Sequence, residues 1–377
     1  MITVGNKTWD KLDNEEKISY CEKLFEDARS NLNKYHFEWY LNYMFLDGNH
    51  YTYFNVVTNS IERPPRRRGE VRLVVNKVRS SIRAIKNYST RFQPKWEVIP
   101  GDTDEITIKN SRRAGKFLDY IYRKLHLETM IKGVVDSSLN TSVGWVEPDW
   151  DDAADNGLGE IRIRLHDPFD IFPDPRAYVY GGKVVGRYIA KSITRPLDEI
   201  KTDKRYDEKS RKNIVKDDNL AASPMKARII RKESGMTSEA GIERAIVKEF
   251  FLFEDEKNEK GGHIRLLTYS GKEILRDEAM KDSEFPLYLM QIPQDPLKIY
   301  HRSWTADAVP LNKALDRTLS QKVMYVNQAL VFRILAEKGH GINIVSNDNG
   351  EILEVNSNRK FEQWNMVPLP GTLDSLS

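Results

Sequence analysis

ADAVPLNKALDRTLSQKVMYVNQALVFRILAE, residues 306 to 337, is the last long periodic stretch of the chain. Ala308, Leu311, Leu315, Leu319, Val323, Val326, Leu330 and Ile334 recur three or four positions apart. That spacing lines apolar side chains along one face of a helix. Lys313, Arg317 and Lys322 fall elsewhere on the same helix, and Pro310 either opens it at its first turn or bends it. About 28 helical residues at 1.5 Å each would span about 42 Å, longer than a small domain is wide. The periodicity predicts a core or coiled-coil helix, with a channel-lining helix as the alternative.

Upstream of this element, Ala245 to Phe253 and His263 to Tyr269 alternate as a β-hairpin about a polar turn, Glu254 to Gly262, with Lys272 to Leu275 as a third strand. Pro224 to Gly241 lacks periodicity and reads as flexible. Between Arg195 and Asp218 the charge alternates and apolar residues are few. Asp207 with Arg211 and Glu208 with Lys212 stand at helical salt-bridge spacing. So polar a helix gains little from a core, and its stability is expected from neighbours in an assembly, unless it is a mobile linker. Asp167 to Pro175 holds three prolines, which bar a helix and predict a rigid connector.

Gly144 to Glu147, Ile161 to Leu165 and Gly186 to Lys191 read as strands. The acids Asp149, Asp151, Asp152 and Asp155 lack the alternating ligands, central glycine and closing glutamate of a calcium loop, so a solvated hairpin loop is the better reading. Helical spacing covers Asp104 to Leu127 and Glu128 to Ser142. From Trp9 to Asp47 another helix is dense in aromatics toward its end, which predicts a packing face, with base stacking as the alternative.

Charge is concentrated in one place. From Ile61 to Arg91, ten basic residues (among them Arg66, Arg67, Arg68, Arg79 and Arg83) face two acids, although the whole chain balances 59 Lys and Arg against 56 Asp and Glu. A basic loop there feeds a helix opening near Asn76, and Lys95 to Ile99 alternates as a strand. The net charge of +3 is too mild for a surface that grips DNA throughout, so any nucleic-acid contact is regional. The 377 residues exceed the usual size of one core, which predicts two or more substructures. Cys21, the only cysteine, excludes a disulfide framework and a thiolate metal cluster. No stretch is apolar for long enough to span a bilayer, and no signal peptide opens the chain.

Catalytic signatures are missing. There is no phosphate-binding GxxxxGK[ST] loop, no HExxH, no GxSxG and no zinc spacing, and no cofactor is expected. Two alternatives stay open: a metal-dependent nuclease using Asp149, Asp151 and Asp155, and a DNA-binding scaffold anchored by Arg66, Arg67, Arg68, Arg79 and Arg83.

Four segments, in order, resemble the portal (head-to-tail connector) proteins of tailed bacteriophages, short-tailed type. FEWYLNYMFLDGNHY (Phe37 to Tyr51) is similar to an early aromatic helix ending in a glycine turn. VVNKVRSSIRAIKNYSTRFQPKWEVIP (Val74 to Pro100) is similar to an Asn-led helix running into a strand. HDPFDIFPDPRA (His166 to Ala177) resembles the Asp-Pro-rich wing connector. SWTADAVPLNKALDRTLSQKVMYVNQAL (Ser303 to Leu330) resembles the stem helix with its Leu, Asn, Ser rhythm.

The resemblance implies a mainly helical α+β portal fold with a wing, two stem helices and a small β-containing clip. The expected layout is wing over 1–190, first stem helix and connector over 191–240, and clip over 241–297. The second stem helix would cover 298–338 and the return to the wing 339–377, with the crown truncated or absent. The resemblance further implies a non-enzymatic ring, usually of twelve subunits, at one capsid vertex of the virion, assembled in the host cytoplasm. Double-stranded DNA would pass through it, and its partners would be the terminase large subunit, the major capsid protein and tail adaptors, with no membrane. Lys313, Arg317 and Lys322 are the candidates for weak contact with DNA in the channel. Arg66, Arg67, Arg68, Arg79 and Arg83 would meet a neighbouring subunit or DNA, and Glu254, Asp255, Glu256 and Lys257 would be the clip loop that touches a partner.

Overall fold

The computed structural model describes all residues except 1–2, 5–6, 56, 59, 67–69, 92–95, 152–153, 218–220, 235–242, 255–261, 281–282, 293–297, 330–331, 338–349, 356–361 and 365–377. The helices are α1 (Asn14–Leu46), α2 (Lys77–Ser89), α3 (Glu105–Lys124), α4 (Leu127–Thr141), α5 (Leu197–Thr202), α6 (Glu208–Lys212), α7 (Pro224–Ser234) and α8 (Trp304–Ala329). Short strands β1 (Thr3–Val4), β2 (Lys7–Thr8), β3 (Tyr53–Asn55) and β4 (Ser60–Glu62) form two hairpins. Then come β5 (Val143–Asp151), β6 (Glu160–His166), β7 (Ile171–Pro173), β8 (Tyr178–Tyr180), β9 (Lys183–Val185) and β10 (Tyr188–Pro196). The remainder are β11 (Arg244–Glu254), β12 (His263–Ser270), β13 (Glu273–Ala279), β14 (Tyr288–Gln291), β15 (Phe332–Glu337), β16 (Gly350–Val355) and β17 (Glu362–Trp364). The class is mixed α+β. The chain forms two compact units, Met1–Asp47 with Val78–Val309 and Gly48–Lys77 with Pro310–Ser377.

In the first unit, strands ordered β13-β12-β11-β10-β7 make an antiparallel sheet, and β6-β5-β14-β9-β8 make a second. Helix α1 starts where the Glu16 carboxylate accepts the Asp13 amide (3.1 Å), and ends where Gly48 takes a positive φ of 88°. Its buried stripe, Ile18, Cys21, Phe25, Ala28 and Leu32, packs on Phe172, Tyr188, Ala190, Phe250, Leu252, Leu267 and Tyr269 of the first sheet. Each large side chain so buried contributes about 1.5–3 kcal/mol. The aromatic end of α1 is core as well: Trp39 is buried edge-on to Phe169, with centroids 5.4 Å apart. The second apolar cluster joins α1 to α2, α4 and α8 through Phe45, Val78, Ile82, Val135, Leu139 and Trp304.

Several expectations are corrected. The proline-rich segment 167–175 is no mere connector: Pro168–Asp170 is a 3-10 turn, which tolerates proline at its start, and β7 is a sheet edge that buries Phe172. The region between Arg195 and Asp218 is not one long helix. Arg195 and Pro196 end β10, α5 and α6 are short, and Leu197, Ile200, Tyr206 and Ile214 bury against Ala245, Val247 and Leu275. Its few apolar residues stabilise it on its own sheet. Asp207 caps α6 through the amides of Lys209 and Ser210 (3.1 Å each), while Lys212 pairs with Glu208 at 2.7 Å.

Pro224 to Ser234 is helical, with Pro224 at the first turn, Met225 buried, and Lys226 paired to Asp167 (3.2 Å) and Asp170. Residues 96–100 form no strand, and Trp96 and Ile99 are exposed. The long element at the end stops being helical by Ala329; Phe332 to Glu337 pairs in parallel with β16 and antiparallel with β17. Aromatic and branched side chains favour the pleated form there. At the start of that helix, Ser303 Oγ accepts the Ala306 amide (3.2 Å), so Pro310 lies inside the helix and not at its first turn.

Candidate functional site

The second unit is organised by α8, whose buried side there is polar. Asn312, Asp316 and Ser320 are all buried, whereas Leu311, assigned above to the apolar stripe, is 77% exposed. Residues 312, 316 and 320 are one turn apart on the helix. Against them lies the segment after the basic loop: Ser320 Oγ accepts the Leu73 amide (2.9 Å), Asp316 Oδ1 the Val75 amide (2.8 Å) and Asn312 Oδ1 the Lys77 amide (2.9 Å). Alternate amides from Leu73 to Lys77 thus meet every fourth side chain of the helix, and the Lys77 amide also bonds the Val75 carbonyl (2.9 Å), a tight turn that leads the chain into α2.

The ladder is reinforced on its far side. His50 Nδ1 makes a short hydrogen bond with Asp316 Oδ2, which also accepts from Asn312 Nδ2 (3.1 Å). Tyr51 donates its hydroxyl to the Leu73 carbonyl (2.7 Å) and meets Ser320 Oγ at 3.0 Å. Arg72 forks onto Glu70 (2.7 and 3.2 Å), donates to the Pro64 and Pro65 carbonyls (2.8 and 3.0 Å), and sits over the Tyr51 ring. Arg72 is therefore a staple that shapes the basic loop.

These parts enclose a cleft of about 990 Å³ whose lining includes Tyr51, Tyr53, Pro64, Val71 and Met324, with Arg66, Lys313 and Arg317 on it. Lys313 and Arg317 are exposed, one turn apart, and among the described residues neither pairs with a carboxylate. Lys322 lies farther along α8, half-buried, and is not part of the lining. Arg66 is exposed, with Nε bound to the Glu70 carbonyl (2.7 Å); Arg67 and Arg68 lie outside the described residues. Arg79 and Arg83 are exposed on α2 in the first unit. Glu254 closes β11, buried and paired with His263 (2.7 Å), and Asp255, Glu256 and Lys257 lie outside the described residues. His50, Tyr51, Asn312, Asp316 and Ser320 escaped the sequence reading. The Asn, Asp, Ser spacing was visible, but polar residues on a helix are ordinarily read as solvent-facing.

A second polar cluster lies in the first unit. Lys191 of β10 is buried between Glu147 (2.8 Å) and Glu249 (2.6 Å), and His166 Nε2 meets Glu147 Oε2 at 2.5 Å. Burial alone would raise the Glu147 carboxyl, but the His166 hydrogen bond and the Lys191 charge outweigh it and hold it down at about 2. Burial would likewise lower the Lys191 ammonium, and its two carboxylates raise it instead. Asp149 pairs with Arg164 (2.9 Å) and Asp151 with Arg162 (2.7 Å) across the β5–β6 hairpin, so these acids neutralise a basic strand. Among the described residues no group of three or more His, Cys, Asp or Glu could hold a metal ion. No helix of the described residues is long and apolar enough to cross a membrane.

Residues 45–287, more than half of the chain, match the family model described as phage P22-like portal protein. No curated protein matches the chain.

Proposed function

The chain belongs to the phage P22-like portal protein family, and from that membership we propose how its parts serve the conduit. As a portal protein it is a virion component at a capsid vertex, the head-to-tail connector through which the phage genome is packaged and ejected. The family implies a ring of identical subunits with capsid, terminase and tail partners. Twelve subunits, contact with the terminase large subunit, the major capsid protein and tail adaptors, assembly in the host cytoplasm, and a purely structural, non-catalytic role complete the proposal.

We assign the wing to residues 1–190 and extend it through 191–297 apart from the loop that follows Glu254, because α5, α6 and β11 to β13 build on the same sheet as β7 and β10. The assignment leaves α8 as the stem element and keeps the clip role for the loop that follows Glu254, with Asp255, Glu256 and Lys257. Lys313, Arg317 and Lys322 are assigned weak phosphate contact. Arg66, Arg67, Arg68, Arg79 and Arg83 are assigned to subunit contact. The near balance of 59 basic and 56 acidic residues supports a duplex that slides, since neutralising many phosphates per subunit would hold it fast.

The single observation that carries the reading is the family match over 45–287. Electron microscopy of the purified protein tests it. Rings with a central hole are expected, and a monomer that stays solitary under assembly conditions would overturn it.

A further inference from the structure

We propose that the bare part of the second sheet, from Tyr288 of β14 across β9 to β8, receives helix α3 of a second copy of the chain. Each subunit would then offer a helix to one neighbour and a sheet face to the other. The inference rests on the ring reading and names one contact that would join its members. Both surfaces belong to the first unit.

The pairing register runs one row of side chains across all five strands of that sheet. Leu165 stands opposite Val146, Val146 opposite Tyr288, Tyr288 opposite Lys183, and Lys183 opposite Tyr180. Opposed residues share a face, as do residues two apart along a strand, so Met290, Val185 and Tyr178 belong to this face too. One end of it is covered. Helix α4 packs on β5 and β6 and reaches β14, and a side chain at Gly133 would meet Leu165 Cδ2 at 2.8 Å, so the helix lies directly on the row. The other end is open: Tyr178, Tyr180, Val185, Tyr288 and Met290 are 36–76% exposed. They leave on the order of 500 Å² of side chain bare, more than half of one side of a standard interface of about 800 Å². Three strands about 4.8 Å apart give a width of about 14 Å, which takes one helix of about 10 Å beside α4.

Helix α3 has the chemistry of the occupant. It packs on α4 along one side and buries only Ser111. Arg113, Phe117 and Tyr120 follow Ile106 by seven, eleven and fourteen positions, close to whole turns, so the four stand in one line. All four are exposed, and among the described residues Arg113 pairs with no carboxylate. Aromatic faces attract a guanidinium, and the open end of the sheet presents three tyrosines. Lys183, the cation among them, is already neutralised by Glu284 (2.5 Å), so the face suits a basic, aromatic helix and not a phosphate chain. Symmetry selects a second copy. Around a closed ring each subunit meets two neighbours through one repeated contact, which needs two unlike surfaces that fit each other, whereas two like surfaces would close a dimer. A helix stripe and a sheet face on one chain meet that need.

Cysteine cross-linking in the assembled ring tests the contact, and because Cys21 is buried the introduced thiols report alone. Copies carrying Phe117→Cys mixed with copies carrying Val185→Cys should give a covalent dimer on mild oxidation, each variant alone should stay monomeric, and a chain carrying both should give a ladder of multimers. Independently, Phe117→Ala and Tyr180→Ala should each raise the subunit concentration needed for half-assembly at least tenfold. Both side chains are exposed, so the unfolding midpoint of the free subunit should hold. Rings that form without the mixed dimer, or at unchanged concentration in both alanine variants, would overturn the contact and leave the portal reading standing. A dimer from Phe117→Cys alone would overturn it in favour of like meeting like. A disulfide within the doubly substituted chain, without a ladder, would overturn it by returning α3 to its own sheet. Absence of rings altogether would strike at the portal reading and at this contact with it.

Discussion

Arg302 donates from its guanidinium to the carbonyl oxygen of Ala306 (3.1 Å), the helical acceptor four residues before Pro310. A proline inside a helix has no amide to offer that carbonyl. Arg302 supplies the missing donor and is itself steadied by Asp307 (2.9 Å). Its exposure keeps the ion pair itself weak. The hydrogen bond is the part that matters.

Arg302→Ala should therefore cost about 1 kcal/mol. In a Pro310→Ala background the new amide takes over the carbonyl, and the same change should cost little. A double-mutant cycle by denaturant unfolding measures the coupling; additive effects would refute the substitution of one donor for another.

The ladder on α8 has a residue-level signature. Amides of Leu73, Val75 and Lys77 should be slow to exchange and those of Arg72 and Val74 fast, a two-residue alternation readable by hydrogen exchange. Asp316→Leu leaves the His50 ring and the Val75 amide buried without their acceptor, at a cost of about 3 kcal/mol or more. Loss of protection confined to the second unit is the expected result.

Acid should act through Glu147. Its carboxyl is held at about 2 against a usual 4.5, so the folded state binds its proton less readily than the unfolded chain. The resulting stability is complete above about pH 4.5 and is lost as the pH falls toward 2, on the order of 3 kcal/mol in all. Glu147→Gln should flatten the stability profile across that window. It should also lower stability at neutral pH, because Lys191 stays buried with one carboxylate fewer.

Helix α5 discriminates between packing on the chain's own sheet and support from an assembly. Ile200 is fully buried among Leu197, Tyr206, Val247 and Leu275, so Ile200→Ala should cost about 2–5 kcal/mol in the unassembled subunit. A silent substitution there, with loss appearing only on ring formation, would return the segment to the assembly.

Cys21 is fully buried, and burial raises its thiol far above the ordinary range. A thiol reagent should leave the native chain unmodified and label it on unfolding. Introduced cysteines can then be used without removing Cys21.

Where one period and one face coincide, the fold was legible: α1, α3 and α4, and the three strands β11 to β13, follow their apolar spacing. Short elements were not. Leu197, Ile200, Tyr206 and Ile214 are too few to declare a face, and only the partner sheet turns them into one. The cleft on α8 was half legible. Lys313 and Arg317 stood out as cations and Leu311 as part of the apolar stripe, while Asn312, Asp316 and Ser320 carried no site role until their partners at 73–77 were in place.

From its residues alone the chain determined which segments coil and which extend, where basic charge gathers, and which kin its ordered motifs point to. Those are local quantities, written in periods of two and of three to four. Tertiary structure decided what each face meets: that a polar row on α8 would be buried while Leu311 is left open, and that alternate amides from Leu73 to Lys77 would be held by that row. Burial of a polar group is favourable only when a partner of matching spacing arrives, and that partner lies more than two hundred residues away along the chain.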